Sequence, residues 1–367
     1  MASSTNPLAV QELVDDCIDF LHDSPPDLKA CALFGQSWAS TAQMHLFNHI
    51  VIGFHISEEI TTSRHQSRLL CAALAASPRL LRWVESLQIH LDTAPLETLM
   101  FLGKPYLERL RRIFIVGNRV SGLKVDAIQD LLSHTTLTTI SISGAFPSLS
   151  DFLGIWTRCS TSIRDISFGS IRTWSAAGAM HPLTESPPSN AKIQIDALTL
   201  WWWSDGIHDW LNSPRCLFAF SNLKRLCLNE NTSLPRWAAF APSIPHVEYL
   251  QFEPLVPGLD LALFTNLKCI SIFIGSLEYR AEVAFVFTTL LTMSSSNRIE
   301  TVRFQLSSLT VLDADRGAEL DRRILALPLP HHKAVELFYF SETPPPDDIT
   351  EKLPLLNARK LVRAVCG

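Results

Sequence analysis

The chain has 367 residues, of which 47% are hydrophobic and 18% charged, with a formal net charge of −5. That length suits one small domain beside a larger one, or a single extended repeat array, and the apolar content excludes disorder over most of the chain. Lysines and arginines are scattered and the isoelectric point is near 6.2, so no electrostatic footprint for a phosphate backbone exists and nucleic acid is not an expected partner.

The opening stretch, MASSTNPLAVQELVDD, carries acids where a secretory signal would carry a basic region and an apolar run. A cytoplasmic or nuclear protein is expected. No stretch reaches the roughly 18 to 20 consecutive apolar residues of a membrane span. The longest, around Val283 to Met293, is interrupted by threonine and followed by serine, and reads as a buried helix. The eight cysteines, at 17, 31, 71, 159, 216, 227, 269 and 366, are widely spaced and are expected as reduced thiols filling core positions.

In chain order, the first expected helix begins at Asn6-Pro7, an N-cap followed by proline at the first helical position. Behind it Val10, Leu13, Val14, Cys17, Ile18 and Leu21 recur at three- and four-residue steps, one apolar stripe over about four turns. Ser24-Pro25-Pro26 stops that helix, since proline lacks an amide donor and clashes with the preceding turn. Asp27 is expected to cap a second helix carrying Leu28, Cys31, Ala32 and Leu33, with Gly35 ending it at positive φ. A third amphipathic segment carries Trp38, Ala42, Leu46, Phe47 and Ile50.

The strings VQELVDDCIDFL, SPPDLKACALFGQSW and HLFNHI together resemble an F-box, in the form common among F-box proteins of mushroom-forming fungi. The similarity covers about residues 6 to 50 and rests most on Glu12-Leu13, Ile18, Leu21, Asp27 to Cys31, Trp38 and Leu46-Phe47. It implies a partner, the adaptor subunit of a cullin-RING ubiquitin ligase, with Val10, Glu12, Leu13, Ile18, Leu28 and Trp38 as contact residues. Where the family usually carries Leu-Pro this chain has Ala9-Val10, and where it carries Cys-Arg this chain has Gly35-Gln36. Three helices here would equally cap the first unit of a repeat array.

The rest of the chain repeats apolar-x-x-apolar-x-apolar. The hexamers begin at Val84, Leu110, Leu137, Ile163, Ile195, Leu223, Val247, Leu267, Ile299 and Ala334, at successive spacings of 26, 27, 26, 32, 28, 24, 20, 32 and 35. The early spacings match the about 20 to 29 residues of a leucine-rich repeat. Each hexamer alternates as a half-buried strand does. Between hexamers lie helix-like patches at Leu69 to Ala76, Ala94 to Leu102, Val125 to Leu132, Leu149 to Trp156 and Ala281 to Thr292.

The expected fold is therefore α/β: a leucine-rich-repeat-like solenoid over residues 66–340, with parallel strands on its concave side and helices outside, preceded by a small three-helix F-box-like module at 6–50. Residues 173–192, rich in Ser, Ala and Pro, read as an inserted loop, and SETPPPDD at 341–348 as a proline-rich linker. A capping helix is expected over 349–365.

Signals for chemistry are weak. No G-x-S-x-G, Walker or dinucleotide glycine pattern occurs, so neither catalysis nor a cofactor is expected. His45 and His49 stand four apart without a third ligand beside them, His331-His332 reads as loop polarity, and Cys216 and Cys227 lack metal-ligand spacing. No metal is expected. Strand alternation puts Arg112, Phe114, Trp201, Trp203, Arg225, Tyr249, Phe273, Arg303 and Phe338 on the face opposite the repeat leucines, together with Glu253, Glu336 and Phe340. Aromatics and arginines on a rigid face are the residue types of binding hot spots, so this surface is expected to hold an unknown target protein.

Overall fold

The computed structural model describes residues 11–53, 60–102, 106–118, 120, 122–173, 192–201, 205–213, 215–228, 242–253, 259–274, 286–294, 297–306, 314–327, 334–339 and 353–366. The chain is α/β, with parallel strands and intervening helices. It divides into two compact units, Met1–Ile163 with Ile171–Pro188, and Arg164–Ser170 with Ser189–Gly367. Among the described residues no helix is long and apolar enough to cross a membrane.

The first unit opens with α1 (Gln11–Asp19), α2 (Pro25–Phe34) and α3 (Gln36–Asn48). Val14 and Ile18 from α1, Leu28 from α2 and Ala42 from α3 form one buried cluster, with Leu21, Cys31, Ala32, Trp38 and Leu46 packed around it. Pro25 and Pro26 occupy the first turn of α2, where a missing amide costs nothing because that amide has no intrahelical acceptor. The prolines thus start the second helix, and Ser24 takes the N-cap place expected of Asp27. Asp27 instead accepts from the Ser24 hydroxyl at 2.6 Å. Gly35 has φ 179°, an extended conformation rather than the positive φ expected of it.

Four strands follow in this unit, β1 (His49–Ile52), β2 (Ser86–His90), β3 (Arg112–Gly117) and β4 (Thr139–Phe146), each paired parallel with the next. They alternate with α4 (Ile60–Ala76), α5 (Leu96–Leu102), α6 (Gly122–Leu132) and α7 (Leu149–Gly154). β1 lies within the stretch expected to be the end of the third helix: α3 stops at Asn48, and Ile50 and Ile52 are buried in register with Leu87 and Ile89. The run of β-branched residues in HIVI outweighs helical periodicity once a neighbouring strand is present to pair with.

The second unit contains β5 (Asp165–Thr173), of which the first residues belong to it, then β6 (Ile193–Gln194), β7 (Ala197–Leu200), α8 (Asp205–Asn212), β8 (Phe218–Ala219), β9 (Arg225–Leu228), β10 (Tyr249–Phe252), β11 (Cys269–Ile274), β12 (Thr301–Leu306), α9 (Ala314–Leu325), β13 (Ala334–Tyr339), α10 (Pro354–Ala358) and β14 (Val362–Cys366). Pairing is parallel throughout, β5 to β7 to β9 to β10 to β11 to β12 to β13 to β14. A separate short parallel pair joins β6 to β8.

Two backbone devices recur at the strand heads. The first apolar residue of a hexamer closes a tight turn onto the carbonyl three residues back, as in Val84 to Leu81, Leu110 to Leu107, Leu137 to His134, Leu223 to Phe220, Val247 to Ile244 and Leu267 to Phe264. Two successive amides of the next strand then share one carbonyl of the previous one: Arg111 and Arg112 donate to Glu85, Thr138 and Thr139 to Arg111, Lys224 and Arg225 to Asp196, Glu248 and Tyr249 to Lys224, and Lys268 and Cys269 to Glu248. Units of unequal length therefore enter the sheet by one geometry, which satisfies the amides that buried strand ends would otherwise leave unpaired. The buried face is aliphatic and aromatic: Leu87, Ile113 and Ile140 share one level, and Leu226, Leu250, Ile270 and Val302 another. Truncating any of these to alanine costs about 2–5 kcal/mol.

Two expectations are corrected here. The stretch 349–365 does not form one helix: α10 spans five residues and β14 adds a strand beside β13. The tenth repeat is displaced by two residues, because Val335 and Leu337 stand opposite Val302 and Phe304, so the hexamer counts from position 332 rather than from Ala334, with Val335 as its fourth residue. Residues 174–191, most of the expected insertion, and the proline-rich stretch 341–348 lie outside the described residues.

Candidate interaction surfaces

Parallel register brings equivalent hexamer positions into rows across each unit. On the open face of the first unit, His49, Ser86, Arg112 and Thr139 share one level, Val51, Gln88, Phe114 and Ser141 the next, and His90, Val116 and Ser143 a third. The expected residues Arg112 and Phe114 lie here, Arg112 exposed and Phe114 partly so. His49 bonds the Ser86 hydroxyl through Nδ1 at 2.9 Å, and Gln88 bonds Nε2 of His90 at 2.9 Å. Burial, and secondarily the Arg112 guanidinium, hold the His49 pKa below its usual value.

In the second unit the corresponding levels are Asp165, Ala197, Arg225, Tyr249, Cys269 and Thr301, then Ser167, Thr199, Cys227, Gln251, Ser271, Arg303, Glu336 and Arg363. Phe273, Gln305 and Phe338 form a third. Arg225 and Tyr249 are therefore immediate neighbours. Arg303 pairs with Glu336 at 2.7 Å and lies over the Phe338 ring, 5.7 Å from its centroid. Burial works against the charged guanidinium, and the hydrogen bond and charge of Glu336 more than offset it, so the Arg303 pKa is raised. Tyr249 donates to Gln251 Oε1 at 3.2 Å, and burial raises the pKa of its phenol. Trp201 is exposed at the end of its strand, its amide bonded to the Phe168 carbonyl. Trp203 and Phe340 lie outside the described residues.

Of the middle row, sequence alternation singled out Arg303 and Glu336 but not their neighbours. Gln251, Cys227, Ser271 and Thr199 are all the fifth residue of their hexamers, so hexamer alignment identifies them. Composition alone does not, because serine, threonine and cysteine are not hot-spot types.

A second surface lies on the N-terminal helices. Ile18 and Leu28 are interior, where they hold the helices together and are unavailable for direct contact. Glu12 is exposed in the first turn of α1, and Trp38 is partly buried, edge-to-face with Phe34 at 5.5 Å between centroids. Val10 lies outside the described residues. The residues that do face outward are Leu13 at 45% exposure, Phe20 at 88%, Leu33 at 88% and Phe34 at 76%. Leu13, Cys17 and Phe20 follow one another at four- and three-residue steps, a stripe beside the buried one of Val14, Ile18 and Leu21. Two stripes on one short helix merge into a single apolar band in sequence.

A polar cleft of about 400 Å³ in the second unit lies at the strand heads, lined by Asp196, Lys224, His246, Glu248 and Asn266 among others. At this cleft Glu248 pairs with Lys268 at 2.8 Å, and this hydrogen bond holds the Glu248 pKa below the usual value.

Of the thiols, Cys17 is exposed, contrary to the core placement expected of it, while Cys216 and Cys227 are buried. Burial pushes the pKa of Cys159 up to about 12 and those of Cys216 and Cys269 to about 11; such thiols are poor nucleophiles. Among the described residues no three His, Cys, Asp or Glu side chains are grouped to hold a metal ion. His45 is engaged with Asp19 at 2.7 Å and His49 with Ser86, so the two do not share a ligand site. No family model matches the chain, and no curated protein is significantly similar to it.

Proposed function

We propose that this chain is a non-catalytic substrate-recognition subunit of a cullin-RING ubiquitin ligase, its N-terminal helices docking the adaptor and a leucine-rich-repeat-like solenoid holding a target protein. The observation that carries the reading is the exposed apolar surface of Leu13, Phe20, Leu33 and Phe34, set beside a well-packed cluster that needs none of them. Large apolar side chains on a short helical block gain by burial against a partner, at about 25 cal/mol per Å² removed from water. The rows of the strands' open face support the second half of the proposal: they are fixed by backbone pairing, so a target meets side chains already in place. A cytoplasmic or nuclear location follows from the role.

The alternative is a stand-alone interaction scaffold in which the helices only cap the strands. It is favoured by the packing of α3 against the short 3-10 helix Pro78–Trp83, which precedes β2. Co-purification of the full chain with the ligase adaptor separates the two. A stoichiometric complex lost on replacing Leu33 and Phe34 by aspartate is expected, and a chain that never captures the adaptor is the scaffold.

A further inference from the structure

We infer that the open face of β1 to β4 is an anion-reading surface that takes an extended acidic segment of the target protein, with Arg112 as its principal contact. The inference rests on the reading of that face as target-binding. The level formed by His49, Ser86, Arg112 and Thr139 offers a guanidinium, an imidazole and the Thr139 hydroxyl, the buried Ser86 hydroxyl being bonded to His49. The rows above it add Gln88, His90, Ser141 and Ser143. No carboxylate occurs among the described residues of these rows, although acids outnumber bases by 36 to 31 in the whole chain.

Two carboxylates flank β2 in sequence. Glu85 precedes the strand. Asp92 follows the strand and accepts from the Asn118 amide at 2.9 Å and from its side chain at 3.1 Å. Arg112 has no ion pair among the described residues, in contrast to Arg303, which Glu336 neutralises on the second unit's face. An exposed arginine beside an imidazole and hydroxyl donors meets a carboxylate with a bidentate, charge-assisted pair.

The geometry suits an extended chain. Neighbouring strands lie about 4.8 Å apart, so His49 and Arg112, two strands apart, are separated by about 10 Å at the backbone, and alternate residues of an extended peptide are spaced by about 7 Å. Two acids at alternate positions reach both groups through flexible side chains, and Phe114 with Val51, one level on, supplies an apolar patch for the next side chain. Charged or titratable groups around His49 are Arg112 on β3, His90 and Glu85 on or before β2, and His45 of α3, itself tied to Asp19. A carboxylate arriving between His49 and Arg112 favours the imidazolium, so binding takes up a proton.

The test uses the full-length chain and two fluorescein-labelled twelve-residue peptides, one carrying alternate glutamates with a single leucine, the other identical with glutamine for glutamate. Anisotropy is expected to show at least tenfold tighter binding of the glutamate peptide, tightening further between pH 8 and pH 6, and at least a tenfold loss in Arg112→Glu with an unchanged thermal midpoint. Arg112→Lys retains charge without the fork and falls between, and His49→Gln removes the pH dependence. Equal affinity for the two peptides, no binding of the glutamate peptide at millimolar concentration, or indifference to Arg112→Glu each overturns the inference. Adaptor capture by Arg112→Glu is read in parallel: a retained adaptor with a failed peptide sinks the anion surface alone, and a lost adaptor in the parent chain with an intact peptide response sinks the ligase reading alone.

Discussion

Asp321 of α9 caps α10, which begins at Pro354: its buried carboxylate accepts the Leu356 amide at 2.8 Å and that of Leu355 at 2.6 Å. The residue at the N-cap of α10 is Leu353, which has no side-chain acceptor. A helix of five residues is too short to persist alone, so a carboxylate supplied from α9 does what a local cap would otherwise do.

Asp321→Ala is therefore expected to destabilise the chain by about 2–3 kcal/mol, since it leaves two amides without their charged acceptor. Asp321→Asn keeps one acceptor oxygen and loses less. Urea denaturation read at equilibrium checks this, and an unchanged midpoint for the alanine variant shows that water replaces the carboxylate.

Leu33 and Phe34 lead to the opposite expectation. Both are largely exposed, so Leu33→Asp with Phe34→Asp is expected to change folding stability by less than about 0.5 kcal/mol, while adaptor capture falls by at least a factor of about 30, the equivalent of about 2 kcal/mol for a lost hot spot. Ile18→Ala is the counterpart: it removes a buried methyl-bearing side chain from the shared cluster and lowers the thermal midpoint by an amount that corresponds to about 2–5 kcal/mol.

Gly144 stands opposite Gly117 in the β3–β4 register. A Cβ at Gly144 would fall on the Gly117 carbonyl, and one at Gly117 would meet the Leu91 Cβ at 2.8 Å. The requirement is close approach of backbone. Gly144→Ala is expected to cost about 1–3 kcal/mol by overpacking, whereas alanine at Gly35, where nothing lies within 4 Å of an added Cβ, is neutral or slightly stabilising. Thermal melts of the two variants separate the cases.

Burial lowers the pKa of His134 below its usual 6.5, with the Leu102 carbonyl opposing that shift, and its Nε2 is buried without a hydrogen-bond partner. The unfolded chain then binds more protons than the folded one just below pH 6.5, so stability is full above that pH and is lost as pH falls through the lower folded pKa. His49 acts with the same sign. Urea midpoints are expected to fall between pH 7.5 and 5.5, and His134→Leu, which removes the buried unpaired nitrogen, is expected to reduce that slope. A midpoint that rises on acidification contradicts the assignment.

The repeating hexamer was legible in the sequence because a strand with one buried face leaves a two-residue alternation in its own residues, and that signal survives unequal spacings between units. It named the strands at Ser86, Arg112, Thr139, Asp165, Ala197, Arg225, Tyr249, Cys269 and Thr301, and it placed Arg112, Phe114, Arg225, Tyr249 and Arg303 on the open face. It did not find β1, although Phe47, Ile50 and Ile52 carry the same spacing, because Phe47 and Ile50 also continue the apolar stripe of α3; nor did it find β14, which becomes a strand through pairing with β13.

Tertiary structure alone decided which residues of the N-terminal helices are interior and which are exposed. Val14, Ile18 and Leu28 are as apolar as Leu13, Phe20 and Phe34, and only the packing of α1, α2 and α3 against one another separates the buried set from the exposed one. It also decided partners distant along the chain, Arg303 with Glu336 and Asp321 with Leu356. Periodicity records the direction in which a side chain leaves its own backbone; what it meets there depends on register and packing between segments that lie tens of residues apart.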